Sequence, residues 1–151
     1  MKVLPIGYPL GFLPTGEYEI ELFSQSNVHL TSKELELWIS IFMSKTNEYR
    51  PEQYKTLIQK GVVLQCENEN ELIKCLSPLN TMRSGTGWFA QNKICITTDE
   101  DVFFTTKTQF DFWKKSDGHK TVEQVLSETA ENVSFYDDIT YLVINGLIIL
   151  R

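Results

Sequence analysis

Two histidines are the residues best suited to general-base or metal chemistry, because imidazole titrates near neutral pH and binds metals. His29 lies in an alternating strand pattern, and His119 follows the turn residues Asp117 and Gly118. Neither histidine has a Cys, Asp or Glu at the spacing that a metal site requires. We therefore expect no metal, no cofactor and no histidine-based catalysis.

Three further groups resemble chemical motifs, and each lacks an essential part. Asp99–Asp101 is a run of carboxylates without the glycine and distal glutamate of a calcium loop. Arg83–Gly87 has the small residues of a phosphate loop, but no lysine followed by Ser or Thr, and it precedes a strand instead of a helix. Cys66, Cys75 and Cys95 form no CxxC pair, which is typical of reduced thiols in a cytosolic protein. The sequence predicts a protein that is not an enzyme.

Composition excludes several classes of protein. The 151 residues are 42% hydrophobic and carry a net charge of -6, so we expect a folded, acidic domain. A phosphate-binding surface requires positive potential, so the net negative charge disfavours nucleic acid as a partner. Pro5, Gly7, Pro9 and Gly11 interrupt any apolar run of a signal peptide, and no apolar stretch approaches the roughly 20 residues of a membrane span. We expect a cytoplasmic protein that does not enter a membrane.

The two halves of the chain share an ordered set of landmarks at offsets of 74 to 76 residues, which predicts two degenerate copies of one unit. The landmarks of the first half are Gly11–Leu13, Tyr18–Ile20, Val28–Thr31 and Leu35–Trp38. Those of the second half are Gly87–Phe89, Ile94–Ile96, Val102–Thr105 and Phe110–Trp113. We predict one unit over residues 1–65, a helical linker over 66–82 and a second unit over 83–151.

Capping boxes and glycine stops mark the helices of each unit. The predicted boxes are Thr31 with Glu34, Thr106 with Gln109 and Thr121 with Gln124. Gly61 and Gly146 are predicted to end the last helix of each unit, and Asp137 or Asp138 to begin the last helix of the second. A middle helix over 121–131 is expected in the second unit and not in the first. The predicted fold class is α+β, with tandem winged-helix-like units that each combine a small antiparallel sheet with two or three following helices.

Residues 88–150 resemble the PqqD-like family, also called RiPP recognition elements, which are small winged-helix domains. The resemblance is carried by the strand Val102–Thr105, by the pair Phe112 and Trp113, and by two longer stretches. The first stretch, 117–125, contains the Asp-Gly-x-x-Thr-Val element, and the second, 141–148, contains the closing Gly-Leu-Ile. The first half of the chain matches only the general outline of the family.

The resemblance implies that a peptide is bound as an extra strand beside the third strand, over a groove formed with the first and third helices. Carried onto this sequence, the docking strand consists of Val102, Phe103, Phe104 and Thr105. The groove residues are Phe110, Lys114, Asp138 and Tyr141. The implied function is a non-enzymatic adaptor that binds a peptide or protein partner. Such docking requires Val102–Thr105 to be an open sheet edge, not one covered by the first unit through Gly11–Leu13.

Two other functions fit the same outline. The first is a winged-helix DNA-binding transcription regulator, although the stretch from Thr121 to Leu150 contains no Lys or Arg and would repel phosphates. The last helix of the first half is less acidic, with Arg50, Lys55 and Lys60. The second is an inhibitor or immunity protein that blocks a protein partner, for which net acidity is suited to mimicry of a polyanion.

Overall fold

Small antiparallel sheets and short helices alternate along the chain in the computed structural model, which describes residues 2–23, 25–43, 51–129 and 132–151. The mixed α+β class predicted from the sequence is confirmed. No helix within these ranges is both long and apolar enough to cross a bilayer.

The first half, residues 2–66, encloses a three-stranded meander between two terminal strands. Strands β2, β3 and β4 form the meander in that order, and β1 pairs antiparallel with β5. A short 3-10 turn, Pro51–Tyr54, precedes α2. The elements are β1 (Lys2–Pro5), β2 (Tyr8–Phe12), β3 (Tyr18–Glu21), β4 (Val28–Leu30), α1 (Ser32–Met43), α2 (Lys55–Gln59) and β5 (Val63–Cys66).

The second half begins after α3 (Glu69–Leu76) and has a similar order. Strands β7, β8 and β9 form its meander, while β6 lies between β10 and β11 in a separate sheet. A π turn, Phe135–Ile139, leads into the last helix. The elements are β6 (Asn80–Arg83), β7 (Thr86–Ala90), β8 (Lys93–Thr97), β9 (Val102–Thr105), α4 (Lys107–Lys115), β10 (Asp117–Thr121), α5 (Val122–Glu128), α6 (Thr140–Ile144) and β11 (Ile148–Leu150).

The strand register corrects the sequence match between the halves by one residue. Glu19 pairs with His29 in the first meander, and Cys95 pairs with Phe104 in the second. Because Glu19 corresponds to Cys95 in the landmark match, His29 occupies the position of Phe104, not that of Phe103. The helix caps then coincide as well, since each meander ends one residue before a capping threonine.

The three predicted capping boxes are confirmed, because each threonine hydroxyl accepts from a backbone N–H three residues on and each partner side chain accepts in return. The predicted cap of the last helix is wrong. The Ser134 hydroxyl accepts from the Asp137 N–H at 3.1 Å, and the Asp138 carboxylate accepts from the Ser134 N–H at 2.9 Å. Serine caps well because its oxygen reaches an N–H that the helix leaves unpaired.

Two strands occupy segments for which the sequence indicated other structure. Asn80–Arg83, of which 80–82 are predicted to lie in the helical linker, is β6, and Asp117–Thr121, predicted to be a turn and a helix cap, is β10. The predicted middle helix is α5, which ends at Glu128, and its expected end at Glu131 lies outside the described residues. The expected lack of a middle helix in the first half also concerns residues beyond the described ranges, 44–50.

One hydrophobic core spans both halves. The indole N–H of Trp38 donates to the Val62 carbonyl at 3.1 Å, and that of Trp113 donates to the Ser84 carbonyl at 2.9 Å. The indole N–H of each buried tryptophan therefore has a hydrogen-bond acceptor. The halves also meet through the backbone, where the Gly7 N–H donates to the Leu150 carbonyl at 2.6 Å.

Candidate peptide-binding site

Strand β9 lies at the edge of its meander. In the part of the chain that the structure describes, its one strand neighbour is β8, with Val102 opposite Thr97 and Thr105 opposite Ile94. Residues Gly11 and Phe12, which could have covered this edge, pair instead within the first meander. The Val102–Thr105 edge is therefore free of a second strand among the described residues. Two of its backbone groups are engaged by side chains: the Val102 N–H donates to the Asp101 carboxylate at 2.8 Å, and the Phe104 carbonyl accepts from the Tyr141 hydroxyl at 2.9 Å.

The outer face of this meander, the face turned away from α4, carries a row of apolar side chains. Trp88, Cys95 and Phe104 lie side by side in one cross-strand row. Phe104 is 57% exposed and Val102, on the same face by strand alternation, is 45% exposed. The Lys93 ammonium lies 5.0 Å from the centre of the Phe104 ring. The open edge thus adjoins exposed aromatic surface, which is the environment that binds apolar side chains of a partner.

The inner face of β9 belongs to the protein interior. Phe103 packs against the hydrophobic core. The Thr105 hydroxyl is buried, and no hydrogen-bond partner for it lies among the described residues. Because a buried polar atom usually has a partner, this hydroxyl is an unused hydrogen-bonding group at the end of the open edge.

Tyr141 of α6 contacts the edge directly. Its hydroxyl donates to the Phe104 carbonyl at 2.9 Å. Burial raises the pKa of Tyr141 above its ordinary value of 10.0, so the phenol stays protonated and remains a donor at neutral pH. Tyr141 also lines a cleft of about 260 Å³ between α6 and β1, together with Lys2 and Asp137. The first half of the chain therefore contributes one wall beside the candidate groove.

Asp138 holds the last helix in place, because both of its carboxylate oxygens are engaged. One oxygen accepts from the Ser134 N–H, and the other accepts from the Gln109 side chain at 3.2 Å. Gln109 also completes the cap of α4 with Thr106. This chain of hydrogen bonds fixes the spacing between α4 and the π turn that leads into α6, which carries Tyr141.

Phe110 and Lys114 lie on the other flank of α4. Both line a cleft that also contains Phe89 of β7, at the opposite side of the meander from β9. The Phe110 ring lies against Gly87, where a Cβ atom would come within 2.6 Å of it. The eight predicted site residues therefore separate into an edge group, 102–105 with Asp138 and Tyr141, and a second cleft with Phe110 and Lys114.

The structure adds residues that the sequence did not single out for this site. Trp88 and Cys95 join Phe104 on the outer face, Lys93 lies over that ring, and Gln109 links α4 to Asp138. The cross-strand neighbours could have been found by pairing the three strands of the meander in register. The Gln109 contact could not, because it depends on how α4 and the π turn pack.

No protein-family model, curated protein or solved structure matches this chain. Within the ranges that the structure describes, no group of three or more His, Cys, Asp or Glu side chains is arranged to hold a metal ion.

Proposed function

We propose that this protein is a non-enzymatic adaptor that binds a peptide or protein segment by strand addition beside β9. The observation that carries the proposal is the open edge of β9, flanked by exposed Val102 and Phe104 and by the Tyr141 hydroxyl. An open edge offers backbone N–H and C=O groups, and these supply affinity for any extended segment.

The side chains around the edge supply selectivity. In an extended partner, successive side chains point to opposite faces of the sheet. One set would contact the outer row of Trp88 and Phe104, and the other would contact the cleft beside Tyr141. The partner best suited to this edge has apolar residues at every second position on its outer face.

Tyr141 regulates access to one backbone acceptor of this edge. The Phe104 carbonyl has two lone pairs, so it can accept from an incoming strand while the Tyr141 hydroxyl occupies one of them. A neutral hydroxyl costs less to displace than a charged donor, because charged hydrogen bonds are about twice as strong. The Phe104 carbonyl is therefore hydrogen-bonded by Tyr141 without being closed to a strand.

The order of elements in residues 2–66 and 80–150 supports the further proposal of two winged-helix-like units, the second of them PqqD-like. The DNA-binding alternative has less support. The π turn and α6 carry Asp137 and Asp138 and no lysine or arginine, so this end of the second half would repel phosphate.

The test is capture of partners from the native host on the tagged protein, with identification by mass spectrometry. Wild type is compared with Phe104→Pro, which removes a main-chain donor from β9, and with His29→Pro at the equivalent position of β4. We expect a partner that is lost with Phe104→Pro and retained with His29→Pro. Thermal unfolding and amide spectra of each variant show whether the sheets remain folded.

Two outcomes contradict the proposal. A folded Phe104→Pro variant that retains the partner shows that the β9 backbone is not used. Equal loss of the partner in both proline variants shows that the effect is not specific to β9. A folded Phe104→Thr variant, which keeps the backbone donor, should retain at least part of the binding.

A further inference from the structure

A second cleft lies between α4 and the β7–β8 hairpin, on the other side of the meander from the open edge. It has a volume of about 430 Å³, which is within the range of ligand-binding pockets, roughly 300–1,000 Å³. Phe89, Ile94 and Phe110 form its apolar lining. The lining alone is enough to bury one large apolar side chain of a partner.

The aromatic rings at the cleft form a row, and the outer end of this row is exposed to solvent. The Phe89 and Phe110 ring centres lie 5.5 Å apart, and the Phe110 and Trp113 centres lie 5.3 Å apart. Phe89, at one end of this row of three rings, is 72% exposed, whereas Trp113, at the other end, is buried. The row therefore begins at the surface and offers an apolar ligand a continuous path of ring contacts.

The rim of the cleft is basic, in contrast to the whole chain. It carries Lys107, Lys114 and Lys115 against one carboxylate, Asp111. Lys115 pairs with Asp111 at 3.1 Å, which neutralises that carboxylate. Three positive charges and one negative charge leave the rim at +2, on a chain whose net charge is -6.

One of the rim lysines, Lys114, is available for recognition. The ammonium of Lys114 is exposed and forms no ion pair with the residues that the structure describes. An exposed ammonium without an ion pair among the described residues is available to a carboxylate of a ligand.

We propose that this cleft binds an acidic peptide segment of the partner, with one large apolar side chain against Phe89 and Phe110 and flanking carboxylates on Lys107 and Lys114. The apolar lining selects the anchor side chain, and the positive rim selects its acidic neighbours. This inference goes beyond strand addition, because the cleft and the β9 edge lie on different sides of the meander. It assigns a chemistry to the partner: an acidic segment with an aromatic or large aliphatic anchor.

The test uses fluorescein-labelled synthetic peptides and the full chain, with binding followed by fluorescence anisotropy. The first peptide has one Phe flanked by Glu and Asp, the second has Gly in place of Phe, and the third has Lys in place of the acids. We expect the first peptide to bind most tightly and its affinity to fall with added salt, because the rim charges are exposed. Equal binding of the first and second peptides overturns the proposal, since the apolar anchor then contributes nothing.

Charge-reversal variants locate the binding. The double variant Lys107→Glu and Lys114→Glu should weaken the first peptide by about tenfold or more, since it replaces two attractions with two repulsions. The matched control, Lys33→Glu with Lys74→Glu, reverses two exposed lysines of α1 and α3 and keeps the same net charge. Equal weakening in both double variants shows that only the net charge matters, and it overturns the assignment of the cleft.

Phe89→Ala tests the lining without disturbing the core, because Phe89 is largely exposed. We expect it to weaken the first peptide severalfold and to leave the second peptide unchanged. The His29→Pro variant, in β4 of the first meander, should bind the first peptide like wild type, provided that its fold is intact. Failure of the cleft variants to change binding therefore rejects this inference alone, and the β9 proposal is judged separately by partner capture.

Discussion

Strands β4 and β9 are both edge strands of three-stranded meanders. In each strand, one backbone carbonyl accepts a hydrogen bond from a side chain near the end of the same half of the chain. In β4, the Lys60 ammonium donates to the His29 carbonyl at 2.8 Å and pairs with Glu34 at 2.9 Å. In β9, the Tyr141 hydroxyl donates to the Phe104 carbonyl. The carbonyl of the first edge is bonded by a charged ammonium, and the carbonyl of the second by a neutral hydroxyl.

The outer faces of the two meanders also differ in polarity. Glu19 and His29 form a polar pair, 3.3 Å apart, on the first meander. The equivalent row of the second meander is Trp88, Cys95 and Phe104. Charged side chains at an edge discourage strand addition, and exposed apolar ones favour it. The comparison teaches that one architecture can carry a polar edge and an apolar edge, with the difference made by a few side chains. We call β4 the protected edge and β9, the proposed docking strand, the receptive edge.

Removing the charge at the protected edge should have the largest effect on stability. Lys60→Met leaves the Glu34 carboxylate, whose side chain is only 13% exposed, without its ion pair. A largely buried charged group that loses its partner costs about 1–3 kcal/mol, and we expect that loss in the free energy of unfolding from urea titration. A loss no larger than that of Tyr141→Phe would remove the energetic difference between the two edges.

Removing the hydroxyl at the receptive edge should cost less. Tyr141→Phe deletes one neutral hydrogen bond to the Phe104 carbonyl, which is worth about 0.5–1.5 kcal/mol. Because the freed carbonyl faces a site open to another strand, we expect partner binding to be retained. Loss of the partner in this variant would show that Tyr141 contacts the partner directly.

Acid should weaken the protected edge selectively. Burial raises the pKa of Glu34, but the hydrogen bonds from Thr31 and Lys60 and the charge of Lys60 outweigh it and hold the pKa below 4.5. A carboxyl whose pKa is lowered in the folded state contributes stability above its unfolded pKa, and that stability is lost as pH falls through the folded pKa. Between about pH 6 and pH 3, wild type should lose more stability than Glu34→Gln. Parallel pH profiles would contradict this.

Adding a charge to the receptive edge should change stability least. Phe104→Glu introduces a carboxylate on an exposed position beside the Lys93 ammonium, so the free energy of unfolding should change by about 0.5 kcal/mol or less. The variant gives β9 the polar character of β4, and we expect partner capture to be lost. Full capture by a folded Phe104→Glu variant would mean that the apolar row is not part of the binding surface.

The sequence predicted what depends on neighbouring residues. The boxes at Thr31, Thr106 and Thr121 and the meander strands are local patterns, and the structure contains them. The sequence did not predict the pairing of Lys2–Pro5 with Val63–Cys66, because these strands meet across about sixty residues of chain and neither alternates clearly.

For the candidate site too, the sequence predicted what depends on neighbouring residues and not what depends on packing. Val102–Thr105 could be located from its strand pattern and from the PqqD-like resemblance. The separation of Phe110 and Lys114 from the edge could not, because it depends on the rotation of α4 over the sheet. That rotation follows from Gly87, whose missing side chain admits the Phe110 ring.

The placement of Cys95 gives the outer face a chemical reporter of its own. This thiol is 1% exposed although it lies on the face turned away from α4, because Trp88 and Phe104 flank it. Its alkylation rate measures how often the two rings move apart, and a bound segment that holds them together would slow the reaction. With Cys75 replaced by Ser, the remaining thiol, Cys66, is buried, and burial still raises its pKa, so it reacts little. Labelling kinetics would thus follow occupancy of the surface without any added probe on the partner.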